Sequence, residues 1–327
     1  MRRRDVIGFL AGAMVAVPYG AAAQTAGKTY RLGTLTVGPP IAPDAGTGKM
    51  LIEGLAQRGY TLGQNLTYEA RGAAGKVSQL PNLMQELKTA NVDAVVTVSY
   101  PAAAAAKASG VPTVIASGSG DPVKTGLVES LARPGGNVTG ISDDAAALST
   151  KRLGLLKAAS PQLRKVAMLW NKDDLGMTQR YDASAAAAQE IGVTVLPLGV
   201  RQPDDFNEAF EAMNHDPPDA ILMVTDVLTL LNRKRVFDYA AEHRLPAIYE
   251  QDFMARDGGL MSYGADAKES YDRAAALAAK IFGGVKPADL PFELPTRYLF
   301  VINLKTAKAM NFTVPNNVLA LADEVIE

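Results

Sequence analysis

Few side chains in this 327-residue chain are equipped for covalent chemistry, and those few stand in turns. There is no cysteine, which excludes thiolate nucleophiles, disulfides and zinc thiolate sites. Two histidines, His215 and His243, leave little material for an imidazole-bound metal or a catalytic triad, and no G-x-S-x-G elbow occurs. His243 stands in "AAEHRLP", where a helix should end, and His215 in the turn "NHDPPD", so both read as structural. The turn "ASGSGDPV", residues 116–123, has Gly118 and Gly120 but Val123 where a dinucleotide fingerprint needs its third glycine. Asp121 would also oppose a pyrophosphate, and it reads better as a helix cap before Pro122. "GTGKM", residues 46–50, fails as a phosphate loop because Pro43 and Met50 replace the required Gly and Ser/Thr. No catalytic residue, cofactor or metal is assigned.

The same turns are better suited to recognition. Ser99, Ser117, Ser119, Asn171 and Thr225 are neutral donors, and with helix N-termini they suit a carboxylate. Asp121, Asp143 and Asp226 are placed to take an ammonium. Tyr100, Trp170 and Tyr249 fall at strand ends, where they either sandwich a flat ligand or fill the core. The pairs Asp143–Asp144 and Asp173–Asp174 suit general acid/base work or a cation, but such pairs more often cap helices and face water. The expected ligand-binding set is Ser99, Tyr100, Ser117, Gly118, Ser119, Asp121, Asp143, Trp170, Asn171, Asp226 and Tyr249.

These turns need a scaffold that brings them together. Short β-branched runs such as "VDAVVTV", "VPTVIAS", "VAMLW" and "DAILMVT" read as strands buried on both faces. Between them, helical patterns cover 48–58, 78–89, 178–191, 205–213, 228–243 and 268–282, which argues for parallel sheets flanked by helices. "DAVVTVS" (93–99) is echoed by "DAILMVT" (219–225), and "GVPTVIAS" (110–117) by "RLPAIYEQ" (244–251). One strand–helix–strand unit therefore occurs once in each half. The fold class expected is α/β, with two similar Rossmann-like lobes joined by a multi-segment hinge. Lobe 1 comprises 24–140 plus about 264–327, and lobe 2 comprises 141–263. The tail "NVLALADEVIE" has the spacing of a docked helix. In open α/β sheets ligands bind beyond the C-terminal strand ends, where the turns 37–40, 99–101, 117–122, 170–174, 225–227 and 250–253 fall.

Charge is nearly balanced, with 33 basic and 34 acidic side chains, and the sequence pI is 6.2. A nucleic-acid partner is not expected from such a scattered, neutral distribution. The N-terminus has three arginines, an apolar run over 6–17 and Ala21-Ala22-Ala23, the anatomy of a signal peptide cleaved before Gln24. Pro18 and Gly20 interrupt that run, which argues against a membrane anchor. The stretch from Arg3 to Ile7 also resembles a twin-arginine signal, with Val6 in place of phenylalanine. Cleavage removes three of the 33 basic and one of the 34 acidic side chains, for a formal charge of −3.

The blocks "MRRRDVIGFL", "GDPVKTGLVESLARPGGNVTGIS", "HRLPAIYEQDF…GGLMSYG" and "INLKTAKAMNFTVP…ADEVIE" together resemble an ABC-transporter substrate-binding protein family, over essentially the whole mature chain. The resemblance implies a type I periplasmic binding protein fold. It implies a non-catalytic, monomeric periplasmic protein that closes on a small solute, an amino acid or aromatic carboxylate among the candidates, and delivers it to a membrane permease. It places Ser117 to Asp121, Asp143, Asn171 and Asp226 in matching loops without fixing their roles. "WNKDD" and "VGPP" depart from the family pattern, so the solute does not transfer. Two other readings use the same architecture: a ligand sensor for a membrane receptor, and an exported Rossmann-like enzyme.

Overall fold

A computed structural model of the chain describes residues 27–142 and 144–327; the segment read as a signal peptide and Asp143 lie outside them. Lobe 1 is built from β1 (Tyr30–Thr36), α1 (Gly46–Ala56), β2 (Leu66–Gly72), α2 (Leu80–Thr89), β3 (Ala94–Val98), α3 (Tyr100–Ser109), β4 (Thr113–Ser117) and β5 (Val138–Gly140). The chain then enters lobe 2 with α4 (Ala145–Ala159), β6 (Lys165–Asn171), α5 (Leu175–Glu190), β7 (Thr194–Val200), α6 (Asp205–His215) and β8 (Ala220–Met223). That lobe continues through α7 (Val227–Leu231), α8 (Arg233–Glu242), β9 (Ala247–Tyr249), α9 (Asp252–Arg256) and β10 (Met261–Ala265). The last segment holds α10 (Ala267–Phe282), β11 (Tyr298–Asn303), α11 (Leu304–Ala309), α12 (Asn316–Leu319) and β12 (Glu324–Ile326).

The first sheet runs β2-β1-β3-β4-β5, all parallel. The second contains the same order, β7-β6-β8-β9-β10, and adds β11 antiparallel to β10 and then β12. The internal echo has a structural cause. Asp93 accepts the Arg31 amide at 2.8 Å, and Asp219 accepts the Arg164 and Lys165 amides at 2.7 and 2.9 Å, so each ties the entry of its lobe's first strand. The carbonyls of Pro112 and Pro246 take the Val95 and Ile221 amides in the same way.

Successive side chains leave each strand on opposite faces. Leu32 and Val96 join one lobe-1 core with α1 and α10, while Leu35 and Val95 join another with α2 and α3. In lobe 2, Met168 and Leu222 face the α4 and α5 side, and Leu169 and Ile221 face α6 and α8. The two α/β lobes are as the alternation predicts, but the C-terminal segment divides between them. Helix α10 packs into the lobe-1 core through Tyr271, Ala274 and Leu277, whereas β11 and β12 extend the lobe-2 sheet. The tail, expected as a helix, forms the single turn α12 and the strand β12. Because of this division the described residues cross between lobes three times: between β5 and α4, at 265–266 and at 294–297. The crossings are stitched together, with the Ser142 amide donating to the Glu293 carbonyl at 2.8 Å and the Asp266 amide to the Arg297 carbonyl at 3.0 Å.

Candidate functional site

The C-terminal ends of both sheets face a cleft of about 640 Å³, in the range of small-molecule sites. Both lobes and the crossing segments line it. A second cavity of about 630 Å³ lies on lobe 2 alone, beside exposed ion pairs such as Arg201 with Asp173 at 3.0 Å. It lacks a second wall that could close.

From lobe 1 the central residue is Ser99. The pairing of β3 with β4 shifts register between Thr97 and Val98, and such a bulge re-aims the residues that follow. Ser99 takes φ 82° and ψ 155°, a region that normally belongs to glycine and costs about 1–3 kcal/mol. It stands at the N-cap of the ten-residue α3, yet its hydroxyl caps no amide. The Ser99 Oγ is buried and has no protein partner. A strained serine that brings a helix N-terminus and an unused hydroxyl into a cleft is arranged for an anion such as a carboxylate. Gly118, at φ +80°, makes the arrangement possible, since a Cβ there would fall 3.1 Å from the Ser99 backbone. Beside it Tyr271 projects from α10, its hydroxyl within hydrogen-bonding reach of Thr47 and Ser117. Burial pushes that phenol's pKa up despite these bonds, so it stays neutral.

From lobe 2 comes a buried ion cluster. Arg152 on α4 and Arg180 on α5 donate to the two oxygens of Glu250 at 2.9 and 2.5 Å, and the Thr225 amide adds a third bond at 3.1 Å. All three ionic side chains are at most 8% exposed. Arg152 also donates its Nε to the Tyr263 carbonyl on β10, which ties the cleft floor to the strand leading into the second crossing. Asp226 caps α7 in a capping box with Thr229 and presents its other oxygen to Asn171 Nδ2 at 2.6 Å. Asp174 caps α5 through the Gly176 and Met177 amides. Its pKa is pushed up to about 7, first by burial and then by the nearby Asp226. Met50, Leu148, Met177 and Phe253 give the cleft apolar walls.

Of the residues expected at the site, Ser99, Ser117, Gly118 and Asp226 line the cleft, and Asn171 stands one step behind, buttressing Asp226. Asp143 lies outside the described residues. The remainder fall elsewhere. Tyr249 is 1% exposed and meets Phe237 edge-on, because its side chain leaves β9 on the α8 face. Trp170 stacks on Tyr181 at 3.7 Å within the lobe-2 core. Tyr100 packs, partly buried, against the apolar cluster that contains Ile115 and Val128. Ser119 is fully buried and donates to the Gly120 carbonyl. Asp121 caps a turn, accepting from the Val123 and Lys124 amides, and no helix follows it. Sequence reasoning missed Arg152, Arg180 and Tyr271, and reached Glu250 only as part of the turn 250–253. Charged residues on helical patterns read as solvent-facing, and only the fold turns these arginines inward. Among the described residues no three His, Asp or Glu side chains are grouped as a metal would need, and no helix is long and apolar enough to cross a membrane.

Several known proteins resemble the chain in sequence or fold. A "Tyrosine-binding protein" of Clostridioides difficile is 26% identical over 264 residues, 80% of this chain and 76% of its own. A solved ABC domain in complex with L-Trp from Streptococcus pneumonia is 25% identical, covers 91% of this chain and 100% of its own, and superposes with a TM-score of 0.83. A conserved domain protein from Vibrio cholerae, 24% identical with the same coverage, superposes at 0.84. The model for "ABC transporter substrate binding protein" matches residues 45–326. With that match over most of its length, and two α/β lobes around a shared cleft, the chain belongs to the ABC transporter substrate-binding protein family.

Proposed function

We propose that the chain is the periplasmic capture component of an ABC importer and that its solute is an amino acid with an apolar or aromatic side chain. The observation that carries this reading is Ser99, an unpartnered, buried hydroxyl in strained backbone at the mouth of α3. The solute carboxylate docks on Ser99 and the α3 N-terminus, and its ammonium is met by Asp226. The side chain lies among Met50, Leu148, Met177 and Phe253. The Arg152–Glu250–Arg180 cluster holds the lobe-2 wall in shape and keeps a strong dipolar surface towards the zwitterion. The tyrosine and L-Trp named for two relatives support the class of solute. The signal peptide read at 1–23 supports export, and family membership supports delivery to a permease. The protein acts as a monomer whose lobes close about the three crossings.

Native mass spectrometry of freshly purified protein should find a bound amino acid. A melting panel should then single out the same compound. At a hundredfold excess over its dissociation constant it should add about 2.7 kcal/mol of stability. No bound mass and no shift from any amino acid would end this reading, and turnover of any of them would favour an enzyme.

A further inference from the structure

The lobes touch at a place where no solute contact is needed. Beyond Ser117 and Gly118 the lobe-1 loop leaves the cleft, and Gly120, at φ +67°, lies against the first turn of α5 in lobe 2. A methyl on Gly120 would fall 2.8 Å from the Gly176 Cα and 2.9 Å from the Gln179 Oε1. A methyl on Gly176 would fall 3.1 Å from the Ser119 carbonyl carbon and oxygen. The Asp121 amide crosses the same gap and donates to the Gln179 Oε1 at 3.0 Å. Gly176 and Gln179, three apart on α5, share a face. Met177 and Arg180, one position on from each, line the cleft. Helix α5 therefore offers adjacent stripes, one to the cleft and one to the other lobe. Glycine weakens a helix relative to alanine, so Gly176 in a 16-residue helix needs a packing reason, and the approach of Ser119 supplies it.

We propose that this seam is a latch: Gly120 seated on Gly176, fastened by the Asp121–Gln179 hydrogen bond, holds the lobes together without touching the solute. It populates the closed form even without solute and slows the solute's departure. The proposal rests on the cleft being the solute site and adds a component of closure that the solute does not provide. Gln179 is a positioning residue in this scheme.

The test uses the full mature chain with L-tyrosine and L-tryptophan as probes and two variants, Gln179→Ala and Gly176→Ala. Two readouts are taken: probe release by stopped-flow displacement, and hydrogen exchange at residues 119–121 with and without probe. Gln179→Ala should release probe about two- to tenfold faster, the range of one neutral hydrogen bond. Gly176→Ala favours the helix but overfills the seam, and should bind roughly 5- to 100-fold more weakly. In both, exchange at 119–121 should be faster than in the wild type under either condition. Release and exchange matching the wild type would overturn the latch. If the wild type binds neither probe, the proposed solute class fails, while exchange still decides: faster in the variants upholds the latch, and unchanged exchange ends it. Should Gly176→Ala not fold, Gln179→Ala carries the test alone.

Discussion

Ser99 combines a backbone conformation that favours glycine with a hydroxyl that no protein group uses. Stability and binding should therefore respond in opposite directions. Ser99→Gly relieves the strain and should raise unfolding free energy by up to about 1 kcal/mol, while losing about 1.5–3 kcal/mol of affinity if the hydroxyl meets a carboxylate. Urea unfolding and calorimetry on the same sample check both signs, and a variant that binds as before would remove Ser99 from the site. Asp174 allows a pH test. Its folded pKa, about 7, lies above the ordinary 3.8, so between those values the folded state holds the extra proton. Its contribution is fully present below about 3.8 and is lost as pH rises through about 7. Asp174→Asn keeps a cap acceptor and removes the titration. Relative to wild type it should gain, from pH 5 to pH 8, on the order of a few kcal/mol in urea unfolding. A constant difference between the two proteins across that range would contradict the assignment. At this scale the sequence was legible where a turn beyond a strand end sets the place, as at Ser99, Gly118 and Asp226, which all line the cleft, while the cap that Asp226 provides was not read. It was misleading for Trp170 and Tyr249, because which face of a strand a side chain leaves from depends on register.

Among elements, the strongest link is between α4, α5 and β9, through Arg152, Arg180 and Glu250. Removing a carboxylate shared by two buried guanidinium groups is costly, so Glu250→Ala should lose about 3–5 kcal/mol of stability. A loss below about 1 kcal/mol in chemical denaturation would show that the cluster does not hold the lobe-2 wall. Elements were read best where both faces of a strand are buried, as in β3, β4, β6 and β8. The strand β2 escaped notice because six of its seven residues are only half-buried, which blurs the apolar run. Helix α3 was implied only by the strand–helix–strand unit over 93–117, and its start at Tyr100, with Pro101 in the first turn, was not read. The helix expected over 228–243 is broken at Asn232, whose side chain donates to the Leu228 carbonyl.

At the level of the whole molecule, two lobes of one strand order meet at a cleft, and the proposed function has them move as units about the crossing segments. The cleft joins residues far apart in sequence: Ser99 and Tyr271 from one lobe, Arg180 and Glu250 from the other. That assembly is why the architecture was legible from alternation and the internal echo while half of the site was not. No local pattern records which helix of the second lobe faces which turn of the first. The most direct measurement is a calorimetric titration of the mature protein with aromatic and aliphatic L-amino acids at several temperatures. The account predicts a single site for at least one of them, with the negative heat-capacity change of apolar burial, and loss of that binding in Ser99→Ala. Absence of heat with every amino acid, or binding that Ser99→Ala leaves intact, would contradict it.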